Sequence, residues 1–283
     1  MIVKRRDGIP MNYKIIAMDM DGTLLNDDKS ISKYNEEMIH KAMRSGVKVV
    51  ISSGRLPVTL GFYIDTVFKN QPVICCNGSI VLDENKNIIK SNLLDKEAIL
   101  KVIDILREKK DTYYHFYSDN ILYSERVSHA TRKFYKFNEN MDKDFRLEIK
   151  IIKDSKEFIQ NNGSCINKIV VIDKDIDYLN ELREKINKVS KIDTTKSDIH
   201  NIEIISKGVS KGSGLKFLAD YYHIPLNECI AVGNDENDES MIKEAGLGIA
   251  VANAREFLKK SADYVTEKDN NNGAIGEIIK KFI

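Results

Sequence analysis

The segment "AMDMDGTLL", residues 17 to 25, sets two carboxylates one residue apart at the end of an apolar run and follows them at once with a glycine. Ile15, Ile16 and Ala17 lead in as a buried strand. Side chains alternate along a strand, so Asp19 and Asp21 point to one face and Met20 to the other. Like charges placed this way repel unless a cation lies between them or one of them is protonated. Two readings stand open at this point: a solvated turn with a helix cap at Asp21, Thr23 or Asn26, and a divalent-metal site at the carboxyl end of a strand. An EF-hand is excluded, because positions 6 and 12 counted from Asp19 are Leu24 and Ser30, where that loop needs glycine and glutamate.

Three further polar clusters sit beside apolar stretches: Ser52, Ser53 and Gly54; Lys211; and "GNDENDE", residues 233 to 239. Lys211 falls in the first turn of an expected helix, where a positive charge opposes the helix dipole and hints at an anionic partner. What must position these clusters is an alternation of strands and helices. "KIIAMD", "VKVVISSG" and "PVICCNG" read as strands, separated by helices over 32–45, stopped by Gly46, and 57–69. The alternation returns with "NIEIIS", a helix over 211–222, "CIAVGN", a helix over 236–245, "LGIAV", a helix over 254–260, "DYVT" and a last helix from Gly273. Continuous apolar strands between amphipathic helices predict a parallel sheet covered on both faces. The expected fold is therefore α/β, with a Rossmann-like doubly wound core built from residues 13–82 and 201–283. Ligands of such sheets bind beyond the carboxyl ends of the strands, so the four clusters should meet there.

Residues 83–200 differ in texture. "YYHFYS" and "ILYSE" joined by Asp119-Asn120 read as a hairpin, since that dipeptide tolerates the left-handed turn. With helices near 96–109, 127–138 and 175–189 and a strand at "INKIVVID", this segment is expected to be an inserted α+β domain with hinges near 83–85 and 198–202. His115 and His129 read as structural or exposed, and Tyr113, Tyr114, Tyr117 and Tyr123 as packing residues. Asn77 and Gly78 read equally as a plain turn or a substrate contact.

With 44 basic and 43 acidic residues the chain has no bulk attraction for nucleic acid or an acidic membrane. The basic start "MIVKRRDGIP" has no apolar stretch behind it, and no run approaches the length of a membrane span, so neither a secretory signal nor a span is expected. Residues 1–12 read as a frayed N-terminal extension. Cys75, Cys76, Cys165 and Cys229 lie in apolar runs without metal-ligand spacing and read as reduced core thiols of a cytoplasmic protein. No obligate protein partner is evident.

Together "DMDGTLL", "SSGR", "GVSKG" and "GNDENDESM" resemble the four motifs of haloacid dehalogenase (HAD) superfamily phosphatases, of the Cof-type branch that carries an α/β cap domain between the second and third motifs; "CNGS" and "VANA" add to the resemblance. It implies a Mg²⁺-dependent phosphatase acting on small phosphorylated metabolites, sugar phosphates or similar, through an aspartyl-phosphate intermediate, with the inserted domain selecting the substrate. It implies Asp19 as nucleophile and metal ligand, and Asp21 as acid and base whose backbone carbonyl also meets the metal. Lys211 neutralises charge. Ser53, Asn237 and the backbone N–H groups of Met20 and Gly54 hold the phosphoryl group, and Asp238 supports the lysine or a metal-bound water. One position departs: the family usually has aspartate directly after the glycine of the last motif, whereas this chain has Asn234, so the remaining ligand is either Asn234 or Asp235. A phosphomutase and a non-catalytic phosphometabolite-binding protein are the alternatives.

Overall fold

The computed structural model describes residues 12–162 and 165–283; the expected N-terminal extension lies, as far as residue 11, outside the described residues. These residues form two compact units, one of residues 12–54, 63–90 and 210–283, the other of residues 55–62 and 91–209.

The first unit is built on an eight-stranded sheet. β1 (Ile15–Met18), β2 (Lys48–Ser52) and β3 (Val73–Cys75) run parallel. β4 (Ile80–Leu82) turns back antiparallel beside β3, and β5 (Ile88–Ser91) forms the edge. The expected all-parallel run thus ends in an antiparallel strand, β4, that carries no strand reading in the sequence, and β5 falls within the 83–200 segment expected to be inserted. Every residue of β1 is buried, as are Val49, Val50 and Ile51 of β2, which is why these strands read as unbroken apolar runs. The helix Lys33–Arg44 begins where the Ser32 hydroxyl accepts from Asn35 N (3.2 Å), leaving one fewer orphan donor.

The second unit holds a six-stranded sheet in the order β10-β11-β9-β6-β7-β8. Its strands are β6 (Tyr113–Ser118), β7 (Ile121–Ser124), β8 (Glu148–Ile151), β9 (Ile166–Ile172), β10 (Ile192–Thr195) and β11 (Asn201–Ser206). β6 and β7 form the expected hairpin, with Asp119 and Asn120 at φ 49° and 62°. One face buries Tyr114, Phe116, Tyr123, Ile169, Val171, Ile202 and Ile204 in a core shared with Ile99, Val102 and Leu179 of the flanking helices. His115 is buried, and burial, followed by the Lys168 charge, pushes its pKa down to about 3. Lys168 and Glu203 form a buried ion pair (2.9 Å).

"NIEIIS", expected in the first sheet, belongs instead to the second, where as β11 it pairs antiparallel with β9 and β10. An apolar strand reads the same in either sheet, and only its hydrogen-bonded neighbours decide. Cys165, expected in a core, is exposed at the entry to β9, while Cys75, Cys76 and Cys229 are buried thiols. β8, β10 and the helix Ser155–Asn162 were not anticipated, being short and weakly patterned. The chain then returns to the first sheet with β12 (Cys229–Gly233), β13 (Leu247–Ala250) and β14 (Tyr264–Val265), giving the order β14-β13-β12-β1-β2-β3-β4-β5.

Candidate active site

Strand register brings the motif residues together. Met18 is paired with Val232 on one side and with Ile51 on the other. Asp19 is therefore flanked by the Gly233–Asn234 end of β12 and by the Ser52–Ser53 end of β2, and its N–H donates to the Val232 carbonyl (3.0 Å). Ser52 is in turn paired with Ile74, which places the turn after Cys75 beside Ser53.

Lys211 opens the helix Lys211–Tyr221, after an N-cap in which Ser210 and Ser213 exchange hydrogen bonds (2.9 and 3.0 Å). Its side chain is fully buried, and Nζ lies 2.6 Å from both Asp19 Oδ1 and Asp238 Oδ1. Burial opposes its charge, but Asp19 and Asp238 more than offset that cost and hold the ammonium protonated. Asp238 Oδ2 accepts from the N–H groups of Asn234 (2.8 Å) and Asp235 (3.1 Å), so this one carboxylate ties the lysine to the loop after β12. Burial pushes the pKa of Asp19 up to about 7, with Asp238 and Asp21 adding to the rise against the pull of Lys211. Two buried carboxylates, Asp19 and Asp238, thus share one buried ammonium.

Asp21 is half-exposed, and its Oδ1 pairs with Lys29 Nζ at 2.8 Å. Asn234 turns its side-chain amide toward Asp19 and the Asp21 backbone. In the orientation that suits its neighbours the amide nitrogen lies 3.2 Å from Asp19 Oδ2, 3.2 Å from the Asp21 carbonyl oxygen and 3.0 Å from Thr23 Oγ1. Turned over, the same amide presents its oxygen to a cation. Asp235 faces elsewhere: one oxygen accepts from Glu236 N (2.7 Å), the other from Arg255 Nε (3.4 Å). Of the two expected donors after Gly233, Asn234 is thus the one beside Asp19. Among the described residues no three His, Cys, Asp or Glu side chains converge in a metal-binding group. The groups that would meet a cation here are instead one carboxylate, one peptide carbonyl and, with the amide turned over, one amide oxygen, all hard oxygen ligands of the kind Mg²⁺ accepts.

Ser53 is buried in the turn after β2, its N–H donating to Ile74 O (2.8 Å) and its carbonyl accepting from Asn77 N (3.0 Å). Gly54 follows it. Met20 is buried, and its carbonyl accepts from Leu25 N (2.9 Å), which curls the loop after Asp19 back on itself. Asn237 is buried and donates to Asn77 Oδ1 (3.1 Å). Gly22 sits at φ +77°, and a Cβ there would meet the Asn234 side-chain amide at 2.6 Å, so both backbone and space demand glycine. Three contributors escaped the sequence reading: Thr23, beside the Asn234 amide; Lys29, paired with Asp21; and Asn253, whose Nδ2 holds the Gly22 carbonyl (2.8 Å). Thr23 and Asn253 carried a signal, as parts of "DMDGTLL" and "VANA"; Lys29 carried none.

A sequence profile described as haloacid dehalogenase-like hydrolase matches residues 16–279. The chain is 31% identical over 283 residues to the 5-amino-6-(5-phospho-D-ribitylamino)uracil phosphatase YcsE of Bacillus subtilis, spanning 100% of both chains. It is 32% identical over 274 residues to the phosphatase YwtE of the same organism, named for the same substrate, spanning 92% of this chain and 95% of that one. A solved haloacid dehalogenase-like hydrolase from B. subtilis superposes with a TM-score of 0.84 at 27% identity, covering 95% of this chain and 100% of the other.

Proposed function

Because this chain belongs to the haloacid dehalogenase-like hydrolase family, we propose that it is a Mg²⁺-dependent phosphatase of small phosphorylated metabolites that works through an aspartyl-phosphate on Asp19. The observation that carries this reading is the buried Lys211 ammonium, 2.6 Å from both Asp19 and Asp238, with the Asn234 amide at the other oxygen of Asp19. The Asp19 carboxylate attacks phosphorus, so the new O–P bond forms as the ester P–O bond breaks. Asp21 gives its proton to the leaving oxygen and then takes one from the water that attacks the aspartyl-phosphate, releasing inorganic phosphate and regenerating Asp19. Lys211 compensates the charge of two anions brought together, and Ser53, Asn237 and the N–H groups of Met20 and Gly54 hold the phosphoryl oxygens. Mg²⁺, held by Asp19, the Asp21 carbonyl and Asn234, would supply Lewis-acid neutralisation of the phosphoryl group.

The substrate class rests on the relatives, two of which are named for a phosphorylated ribitylaminouracil. The second unit is proposed as the substrate-selecting cap. The test is release of p-nitrophenol from p-nitrophenyl phosphate with Mg²⁺ and with EDTA: metal-dependent release is expected, and its absence would refute the reading in favour of a binding protein. A sugar monophosphate should yield free phosphate, whereas an isomer with little phosphate would mean a mutase. Asn234→Asp should lower the Mg²⁺ concentration for half-maximal activity by roughly tenfold, the order of effect of one added charge on a partly exposed cation site. An unchanged Mg²⁺ requirement would place residue 234 outside the ligand set.

A further inference from the structure

The turn after β3 contains three consecutive residues in the left-handed region, Cys76 (φ 49°), Asn77 (φ 56°) and Gly78 (φ 92°). Two of them are not glycine, so the conformation is held by its surroundings. Those surroundings are the site. A Cβ on Gly78 would lie 2.2 Å from the Ser210 carbonyl oxygen, so the turn packs directly on the N-terminus of the helix that carries Lys211. The Asn77 N–H donates to the Ser53 carbonyl (3.0 Å), and its Oδ1 accepts from Asn237 Nδ2 (3.1 Å), a residue 160 positions away. Asn77 is 1% exposed. An asparagine chosen only to turn the chain has no need of burial or of a distant side-chain partner.

We propose that Asn77 is a positioning residue of the phosphate site, aiming the Asn237 amide and anchoring the Ser53 loop. The inference rests on the phosphatase reading, in which Ser53 and Asn237 contact the phosphoryl group. A terminal amide rotates within a broad torsional well and presents either its oxygen or its two N–H donors to a given direction. The Asn77 oxygen selects the nitrogen end. With one N–H held there, Asn237 offers its other donor, and not its carbonyl oxygen, to an anion. Without Asn77 the amide is free to turn its oxygen toward the phosphoryl group, where it repels.

Asn77→Gly isolates the side chain, since glycine accepts the left-handed backbone. In the full chain with Mg²⁺, calorimetric titration with inorganic phosphate should show the dissociation constant rising roughly five- to tenfold, the worth of one neutral hydrogen bond. KM for p-nitrophenyl phosphate should rise by a similar factor with little change in kcat, because the contact is made in ground and transition states alike. Added to Asn237→Ala, the substitution should weaken phosphate binding no further, and the Asn77→Gly melting temperature should stay within a few degrees of wild type. Phosphate affinity within twofold of wild type, independent multiplying effects in the double variant, or loss of the folded state in Asn77→Gly would each overturn the proposal. Phosphate binding is read without turnover. A wild-type protein that binds phosphate but does not hydrolyse esters would sink the phosphatase reading alone, whereas normal hydrolysis with an indifferent Asn77→Gly would sink only this inference.

Discussion

Asp19→Asn is expected to lower turnover of p-nitrophenyl phosphate by roughly four or more orders of magnitude, the loss seen when a covalent catalyst is deprived of its nucleophile. The amide is isosteric and still offers an oxygen to Lys211, but it cannot form the acyl phosphate. Near-normal turnover in this variant would rule out the intermediate. A second measurement separates chemistry from folding. Burial raises the pKa of Asp19 to about 7, so in the metal-free protein the stability linked to its protonated form is fully present at acid pH. That stability is lost as pH rises from the usual carboxylate range through about 7. Asparagine does not titrate. In EDTA, therefore, the melting temperature of Asp19→Asn relative to wild type should shift upward between pH 5 and pH 8, and a shift in the opposite direction would contradict the burial argument.

Lys211→Met should be the most destabilising change at the site. Its ammonium is wholly buried between Asp19 and Asp238, whose side chains are 9% and 0% exposed. Methionine fills the space but leaves two enclosed carboxylates facing each other without a counter-charge. Breaking a buried pair in this way costs about 3–5 kcal/mol, measurable as a shift in the urea midpoint. The loss should grow with pH, because Asp19, whose pKa burial already raises, is protonated and relieves the repulsion only at lower pH. Asp238→Asn on the same background should recover part of it. A destabilisation under about 1 kcal/mol, the scale of an exposed pair, would mean that the lysine is not the electrostatic centre of the pocket. Activity should fall with stability here, since the same charge offsets the approach of a phosphoryl anion to Asp19.

Much of the fold was legible because its signals are local. Unbroken apolar runs such as "KIIA" and "CIAV" identify strands buried on both faces, Ser32 and Ser210 mark helix starts, and Asp119-Asn120 marks a hairpin through the backbone those residues tolerate. The short, half-exposed elements were not legible: β8 has no buried residue and β10 only one, so neither carries the alternation that betrays a strand. Within the site, Asp19, Lys211 and Asp238 lie in contact, but which of Asn234 and Asp235 faces Asp19 is not legible in the sequence, since adjacent polar residues in a loop have no fixed facing. Arg255 and the Glu236 N–H draw Asp235 away from Asp19.

By itself the sequence determined which residue types stand at the ends of which strands, since a few neighbouring residues decide strand, cap and turn. Tertiary structure decided the rest: that β11 belongs to the second sheet, that Lys29 meets Asp21, and that Asn77 reaches Asn237. These outcomes depend on loop path, strand register and helix placement, over separations from 8 residues for Lys29 and Asp21 to 160 for Asn77 and Asn237. Buried apolar strands are nearly interchangeable in composition, so their partners emerge only when the whole sheet is assembled and every backbone N–H and carbonyl must find a place.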